Sequence, residues 1–370
     1  MALGLTLVFL SSVARFYHPG TGFTALIGFP EGADDQAPAL RGLPHYQYPA
    51  WASYDGQFYA QRALDPLLRD PQVDRGMDSA PFRARRILFS WTAYVLGFGR
   101  PAWILEVFAL QNVASWLLLA WLVTRWLPLR SPRALSLWFA CLFSHGLLWS
   151  VRFALLDGPS LLLTMLAVRA AEQGRRGLSG TIAGINGLGR ETNVLGALAQ
   201  PPPGSLRDAF RLVGALALVA LPLLIWEDYL RSIYRSTIFA DTGQLAIPGT
   251  AVMSTVARLV KATRAAGVLS VPGLQLGIVV SVVVQAVYVV VRPRPDVPCW
   301  RVAAGYIVLM LLINRVLWDP VTGAITRVML PLTVSFNILL QRETSAARFW
   351  AWFVAGNLHV LASFQVMPFV

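Results

Sequence analysis

Apolar blocks about as long as a membrane-spanning helix recur along the whole chain, and they limit its fold more than any other feature. Roughly 20 residues of α-helix span the hydrocarbon core of a bilayer. The chain has 370 residues, of which 56% are hydrophobic and 14% are charged. Soluble domains carry about 25% charged residues, so a soluble fold would leave many apolar side chains in water. The sequence therefore predicts an all-α, polytopic membrane protein.

Nine segments have the length and hydropathy of membrane helices. With the ambiguous segments 83–98 and 180–200, they predict about nine to eleven membrane helices in a single domain over residues 1–370. Residues 83–98 have the pattern of an amphipathic or partly inserted helix. The nine predicted spans are 2–16, 102–124, 134–149, 155–171, 209–230, 268–291, 300–317, 326–340 and 348–366.

Arginine residues determine the predicted orientation of these helices, because cytoplasmic loops of membrane proteins are enriched in basic residues. All the arginine-rich loops lie on the cytoplasmic side only if residues 180–200 enter the membrane and return. We therefore predict a re-entrant pair of half-helices over 180–200 that meet near Arg190, an arrangement tolerated where protein or a wet cavity covers the backbone. The arginine-rich loops are residues 125–133, 169–176, 292–294 and 342–348.

A long polar segment follows the first apolar helix. Residues 17–98 are predicted to form the first extracytoplasmic loop, with amphipathic helices that form a cap on the outer face. The acid-rich composition of this loop agrees with an outer position. Its part up to residue 82 holds eight of the 19 acidic residues: Glu31, Asp34, Asp35, Asp55, Asp65, Asp70, Asp74 and Asp78.

Within this loop, the run Tyr54 to Tyr59 (YDGQFY) places an acid among aromatic side chains. A carboxylate just outside a membrane helix can act as a general base. Two plainer interpretations remain open. Asp55 could cap the helix that begins near Gln57, and the aromatic side chains could form an interfacial belt.

The predicted topology brings further polar residues to the same outer level as Asp55. Ionisable groups at membrane depth are costly, so they commonly mark a pathway or a site. Together they predict a polar cavity at the outer membrane surface. The residues are Arg152, Asp157, Arg190, Glu191, Asn193, Asn314, Arg315, Asp319 and Arg327.

Structural roles are the alternative for each of these residues, and they too remain open. They are an Arg190–Glu191 ion pair that closes the hairpin, Arg152 extended to lipid headgroups, Asp157 as a helix cap, and Arg315 and Arg327 as helix flanks.

Composition also bears on partners and cofactors. The formal net charge is +12, but the arginines are scattered between apolar blocks, which fits cytoplasmic loops and lipid phosphates and not nucleic acid. Cys141 and Cys299 lie in different predicted layers, so neither a disulfide nor a metal site is expected from them. The four His residues show no ligand-like spacing. No metal or other cofactor is predicted.

Three short segments, in order along most of the chain, resemble the GT-C superfamily of membrane glycosyltransferases, and in particular its bacterial mannosyltransferase-like and PIG-V-like members. The first is Tyr54 to Tyr59 with Ala63 to Pro66 and Arg83 to Leu88, which resembles the first outer loop of the family. The second, Leu188 to Thr192 (LGRET), resembles its hairpin. The third, Ile325 to Pro331 (ITRVMLP), resembles a late R-x-x-x-P segment.

The resemblance implies a function for these residues. Asp55 would be the catalytic base, and the donor would be a sugar on a polyprenyl phosphate in the bacterial inner (plasma) membrane. Arg190 and Arg327, followed by Arg152, would bind the donor phosphate. The acceptor would be a glycan, a lipid or a protein. Trp51 would stack on a sugar face, and Asp65 or Asp70 would be a second acid in the loop. The residues with supporting roles at the substrate would be Tyr54, Gln57, Tyr59, Asp157, Glu191 and Asn193.

The chemistry of this reaction is compatible with those residue types. A carboxylate can accept the proton of the attacking hydroxyl, and Arg offers a two-pronged donor to phosphate oxygens. The donor is already activated, so the reaction does not require a metal. Two other functions remain: a lipid or small-molecule transporter or flippase, which would show internally symmetric halves that the sequence lacks, and an inactive membrane scaffold, which need not place Asp55 and Arg327 in one cavity.

Overall fold

The computed structural model of the chain describes residues 1–32, 36–234, 244–320 and 323–367. It is mostly helical, with 70% helix and 2% strand, so the predicted all-α class is confirmed. Asp34 and Asp35, two acidic residues of the predicted first loop, lie outside the described residues.

The predicted first loop, 17–98, consists of short elements that follow helix α1 (Ala2–Ala14). Strand β1 (Phe29–Pro30) pairs in parallel with β2 (Gln47–Tyr48). Helices α2, α4 and α5 have Pro in the first turn, where the missing N–H has no intrahelical partner to lose. The helices of this region are α2 (Pro38–Arg41), α3 (Gly56–Leu64), α4 (Pro71–Arg75), α5 (Ala80–Arg85) and α6 (Leu88–Leu96), with 3-10 turns at Thr24–Leu26 and Ala50–Ala52.

The remaining described residues form the apolar helices and one long 3-10 segment. They are α7 (Pro101–Val123), α8 (Pro132–Leu142), α9 (His145–Arg152), α10 (Asp157–Glu172), α11 (Arg176–Gly187), the 3-10 segment Glu191–Ala199, α12 (Leu206–Tyr234), α13 (Thr250–Ala266), α14 (Val271–Val291), α15 (Pro298–Leu312), α16 (Ala324–Val328), α17 (Leu330–Leu340), α18 (Ala346–Gly356) and α19 (His359–Ser363).

Three of the described helices, α7, α12 and α14, are long and apolar enough to cross a membrane. Helices α8 and α9 pass the same test only as a pair bent by 43°. The predicted spans 2–16, 155–171 and 300–317 form single helices of 13, 16 and 15 residues. These are shorter than the roughly 20 residues that cross the hydrocarbon core.

Three segments predicted as single spans are each divided into two helices in the structure. Segment 134–149 divides into α8 and α9, and segment 348–366 divides into α18 and α19. Segment 326–340 divides into α16 and α17, because Pro331 has no N–H to continue the helical ladder to the carbonyl of Arg327. Hydropathy depends only on which residues a segment contains, so it does not show where a helix breaks.

The segment predicted to be re-entrant consists of α11, a short turn and the 3-10 segment. Helix α11 packs tightly on α12, because Gly180 and Gly184 stand one turn apart and face its backbone. A Cβ on Gly180 would lie 2.5 Å from the carbonyl oxygen of Ala215, and one on Gly184 would lie 2.3 Å from that of Leu218. Small residues spaced in this way allow close contact between membrane helices. That the pair re-enters a membrane stays a prediction.

Helix α1 and the first loop that follows it are both anchored to α7. Phe9 of α1 stacks on Trp116 of α7, with ring centroids 3.8 Å apart. The backbone N–H of Phe23 donates to both carboxylate oxygens of Glu106 in α7, at 3.0 and 3.2 Å. These contacts hold the loop against the helix ends, where the polar side chains gather.

Candidate active site

A cavity of about 190 Å³ lies where the first loop meets the ends of α9, α10 and α16. It brings together five of the residues predicted to form a site: Asp55, Tyr59, Asp157, Arg190 and Arg327. The full lining is Asp55, Tyr59, Phe82, Arg86, Leu155, Leu156, Asp157, Arg190, Gln244, Leu317, Ala324, Arg327 and Val328.

The carboxylate of Asp157 is the centre of one ion-pair group. Asp157 is the first residue of α10, where the positive end of the helix dipole favours a carboxylate. It accepts from Nη1 of Arg190 and, at 3.1 Å, from Nη1 of Arg327. Its side chain is 5% exposed, and those of the two arginines are 13% and 11% exposed. Asp157 therefore holds two buried guanidinium groups, which the capping interpretation did not foresee.

Arg327 is positioned by the packing of α16 on α9. His145 contacts the hydroxyl of Thr326 through Nδ1 at 3.0 Å, and a Cβ on Gly146 would lie 2.4 Å from the carbonyl oxygen of Thr326. Nη2 of Arg327 donates to the hydroxyl of Tyr54 at 2.8 Å. The guanidinium thus joins the predicted loop motif to the predicted late motif, while its Nε is buried without a hydrogen-bond partner among the described residues.

Asp55 stands at the N-cap position of α3, but its side chain makes no capping hydrogen bond. Its carboxylate instead accepts from Nη2 of Arg83 at 3.0 Å and is 43% exposed. The backbone comes very close to α9 here, since a Cβ on Gly56 would lie 2.1 Å from the carbonyl oxygen of Phe153. This approach, which only glycine permits, aims the Asp55 carboxylate into the cavity.

Arg83 is a site residue that sequence reasoning missed. It donates to Asp78 at 2.6 and 2.8 Å and to the Tyr59 hydroxyl at 3.1 Å, and its guanidinium lies 4.6 Å from the centre of the Phe58 ring. Partial burial opposes ionisation of Asp78, but the hydrogen bonds and charge of Arg83, together with backbone hydrogen bonds such as that from Ser79, outweigh it, so the pKa of Asp78 lies below its usual 3.8. The run of arginines at 83–86 was the sequence signal for this group.

Glu191 belongs to a second group of ion pairs, with Arg85 and Arg86. Nε of Arg86 donates to Glu191 at 3.1 Å, and Nη1 of Arg85 lies 3.7 Å from its other oxygen. The alternative of an Arg190–Glu191 pair is therefore not what the structure shows, because the side chain of Arg190 reaches Asp157 instead. Glu191 is held by loop arginines and cannot also orient Arg190 through a direct bond.

A second cavity of about 190 Å³ adjoins the first, and Arg86 and Arg190 line both. One wall carries the Arg85–Arg86–Glu191 group and Thr192. The opposite wall is apolar, with Leu245, Leu309, Ile313 and Leu317 among its residues. A group bound between the two arginines would thus have a polar space on one side and a partly apolar space on the other.

Tyr54, which contacts Arg327, lines neither cavity, and the same is true of three further predicted site residues. Nη1 of Arg152 donates to the carbonyl of Ala25 at 3.2 Å, and its guanidinium stacks over the Phe16 ring at 4.6 Å. Asn193 donates to the backbone and side-chain oxygens of Asn186. Gln57 is buried in α3. These placements indicate structural roles for the three side chains, and Arg152 is no longer a phosphate-binding candidate.

The remaining acids and outer residues are also placed apart from the cavity. Asp65 accepts from the backbone N–H of Asp70 at 2.8 Å, and Asp70 caps α4. The second carboxylate in the cavity is therefore Asp157, and neither Asp65 nor Asp70. Trp51 and Arg315 are exposed, and Asn314 accepts from two backbone N–H groups that follow it.

Metal ligands are not grouped in the described part of the chain: it contains no cluster of three or more His, Cys, Asp or Glu side chains arranged to hold an ion. Comparison of the sequence with protein-family models gave no match, and comparison with curated proteins gave none either.

Proposed function

We propose that the chain is a polytopic GT-C-type membrane glycosyltransferase of the bacterial plasma membrane. It would transfer a sugar from a polyprenyl-phosphate donor to an acceptor at the extracytoplasmic face. One observation carries the proposal: a single cavity holds the carboxylate of Asp55 together with Arg190 and Arg327. These residues come from the three separate segments that resemble the family.

Asp55 is the general base in this mechanism. Its half-exposed carboxylate takes the proton of an acceptor hydroxyl as that oxygen attacks the anomeric carbon. The bond from the anomeric carbon to the phosphate oxygen breaks, and the lipid phosphate leaves with the bonding electrons. Arg83 keeps Asp55 oriented through its 3.0 Å hydrogen bond. A direct displacement of this kind inverts the anomeric centre.

Arg190 and Arg327 bind the donor phosphate, and the structure adds Arg86 to them. All three side chains line the first cavity. A phosphate in this cavity would accept charge-assisted hydrogen bonds from their guanidinium groups. Asp157 holds the two guanidiniums in place before the donor arrives.

The membrane arrangement is also part of the proposal. The three long apolar helices support insertion in a bilayer. We propose that the shorter helices complete a bundle of about nine to eleven membrane segments and that residues 180–200 are re-entrant. Burial by neighbouring helices allows such short and broken segments at membrane depth.

The cavity also argues against a scaffold. An inactive assembly partner has no need to gather a carboxylate and two nearly buried arginines in one cavity, because charged groups are costly at membrane depth. A transporter remains the second candidate, and its distinguishing property would be net movement of a solute without a covalent product.

The test is transfer by the purified chain in nanodiscs, with a panel of polyprenyl-phosphate sugars as donors. Asp55→Asn keeps the size of the side chain but removes the base, so we expect turnover to fall by roughly 100-fold or more. Asp65→Asn is the matched control, because Asp65 lies in the same loop outside the cavity, and it should retain turnover. Both variants should keep the melting temperature of the wild type within a few degrees.

Near-normal turnover by Asp55→Asn would refute Asp55 as the base and direct attention to Asp157. Solute movement without any glycosylated product, across the whole panel, would favour the transporter.

A further inference from the structure

A groove larger than the cavity of the candidate active site lies elsewhere in the structure. It has a volume of about 730 Å³ and runs between α1, α8, α18 and α19. This volume falls within the roughly 300–1,000 Å³ of ligand pockets in proteins. Its walls are apolar, with Leu5, Leu135, Phe139, Phe353 and Leu361 among them. An apolar groove of this size on a membrane protein fits a hydrocarbon chain.

The charge at the rim of the groove is of one sign. Arg130 is its lining cation, and no Asp or Glu belongs to the lining. Its other polar side chains already have protein partners in part: Ser131 caps α8, and Asn357 donates to Asn337. A ligand with a positive head would gain nothing here, whereas an anionic head would meet an uncompensated guanidinium.

Arg130 differs from its neighbours in the same loop. The guanidinium of Arg125 stacks over the ring of Trp121 at 4.7 Å, and that of Arg133 stacks over the ring of Phe349 at 4.9 Å. Arg133 also donates to the carbonyl of Glu343. Within the described ranges, the side chain of Arg130 has no hydrogen bond, ion pair or ring contact. It stands exposed at the groove, with all five N–H donors open to a ligand.

We propose that this groove is a binding site for an anionic phospholipid. The phosphate of the lipid is bound by Arg130, whose planar guanidinium can donate to two phosphate oxygens at once. One acyl chain lies in the groove, along Leu135 and Phe139 of α8 and against Phe353 of α18. The site is separate from the candidate active site, since the two cavities share no lining residue.

The selectivity follows from the net charge of the lipid head. Phosphatidylglycerol carries one negative charge, whereas the amine of phosphatidylcholine cancels that of its phosphate. With acyl chains of equal length, both lipids gain the same burial in the groove, and only the first gains a net attraction to Arg130. Both phosphates can accept hydrogen bonds from Arg130, so only the attraction between net charges differs, and the anionic lipid should be retained about 5-fold better.

The experiment is delipidation of the purified full chain, followed by titration with phosphatidylglycerol or with phosphatidylcholine of the same chains. Bound lipid is counted by native mass spectrometry. Arg130→Gln should reduce the affinity for phosphatidylglycerol about 5-fold, to that for phosphatidylcholine. Arg125→Gln is the matched control, because it removes a cation from the same loop but outside the groove, and it should leave lipid affinity unchanged.

A second variant tests the groove itself. Leu135→Trp fills the space for the acyl chain but keeps Arg130, so it should lower retention of both lipids. The thermal unfolding of each variant is measured alongside, and Arg130→Gln, a change at an exposed side chain, should unfold like the wild type. Equal retention of the two lipids by the wild type would overturn the proposal. So would equal losses in Arg130→Gln and Arg125→Gln, or undiminished lipid binding in Leu135→Trp.

Discussion

Replacing Asp157 by Asn tests whether the buried arginine pair is built for a phosphate. The change keeps the shape of the side chain but removes the charge that Arg190 and Arg327 share. Both guanidiniums are nearly buried and would be left without a carboxylate. Removing one partner of a buried ion pair costs about 3–5 kcal/mol, so the free energy of unfolding should fall by about that amount.

A phosphate ligand should reverse much of this loss, because it supplies the missing negative charge. In the wild type, the Asp157 carboxylate already balances part of the positive charge that attracts the phosphate. One charge-assisted hydrogen bond regained is worth about 1.5–3 kcal/mol, or roughly 10- to 150-fold in affinity, so farnesyl phosphate should bind Asp157→Asn at least 10-fold more tightly than the wild type. At 100 times its dissociation constant, a ligand adds about 2.7 kcal/mol of stability. Turnover should still fall, since the arginines lose their fixed positions.

The measurements are thermal unfolding in nanodiscs and calorimetric titration with farnesyl phosphate. Glu343→Gln is the matched control, because Glu343 also pairs with two arginines, Arg292 and Arg348, away from the cavity. Those arginines are 41% and 56% exposed, so water screens them and the loss of stability should be smaller. Phosphate affinity should not change. If Asp157→Asn is destabilised but farnesyl phosphate neither binds more tightly nor restores stability, the arginine pair is structural and the phosphate role is refuted.

Three further predictions follow from the same structure. Arg327→Lys should recover only part of the affinity for the lipid-phosphate donor that Arg327→Ala loses, because Lys lacks the two-pronged geometry of Arg. Equal donor affinity in the wild type and both variants, measured by titration, would show that Arg327 is not part of the site. A membrane-impermeant thiol reagent should label Arg190→Cys when it is added outside, and Gly204→Cys when it is added inside. Labelling of Gly204→Cys from outside would contradict the re-entrant pair. The pKa of Asp78 is lower in the folded protein than its value of 3.8 in the unfolded chain, so its ionised carboxylate stabilises the fold at neutral pH. This stability is lost as the pH falls below 3.8 and through the lower pKa of the folded state. Asp78→Asn should therefore show a smaller drop in melting temperature over that acid range than the wild type, and identical drops would exclude the contribution.

The helical class could be predicted from the sequence because it depends on a local property. Apolar residues in long blocks, with few charges, form helices in any arrangement that keeps their backbone groups paired. The same local reasoning selected Asp55, Asp157, Arg190 and Arg327, since an ionisable side chain beside an apolar block is costly wherever it lies. The structure places all four in one cavity.

Helix breaks were not accessible to the same reasoning. The division of segment 326–340 at Pro331 places Arg327 on its own short helix, α16, and so decides which way that side chain points. Hydropathy averaged over a window reports the environment of a segment and not the continuity of its hydrogen bonds. A broken helix and a straight one can therefore have the same profile.

The choice of partners was decided only by the tertiary structure. Arg190 pairs with Asp157, 33 positions away, and not with the adjacent Glu191, while Arg327 meets Tyr54 across 273 positions. Arg152, like Arg190, is an arginine beside an apolar block, yet its side chain donates to the carbonyl of Ala25 and does not line the cavity. The sequence determines which side chains need a partner, because the cost of a buried charge is local. Which partner each one finds depends on how the ends of distant helices pack together, and no local pattern in the chain encodes that.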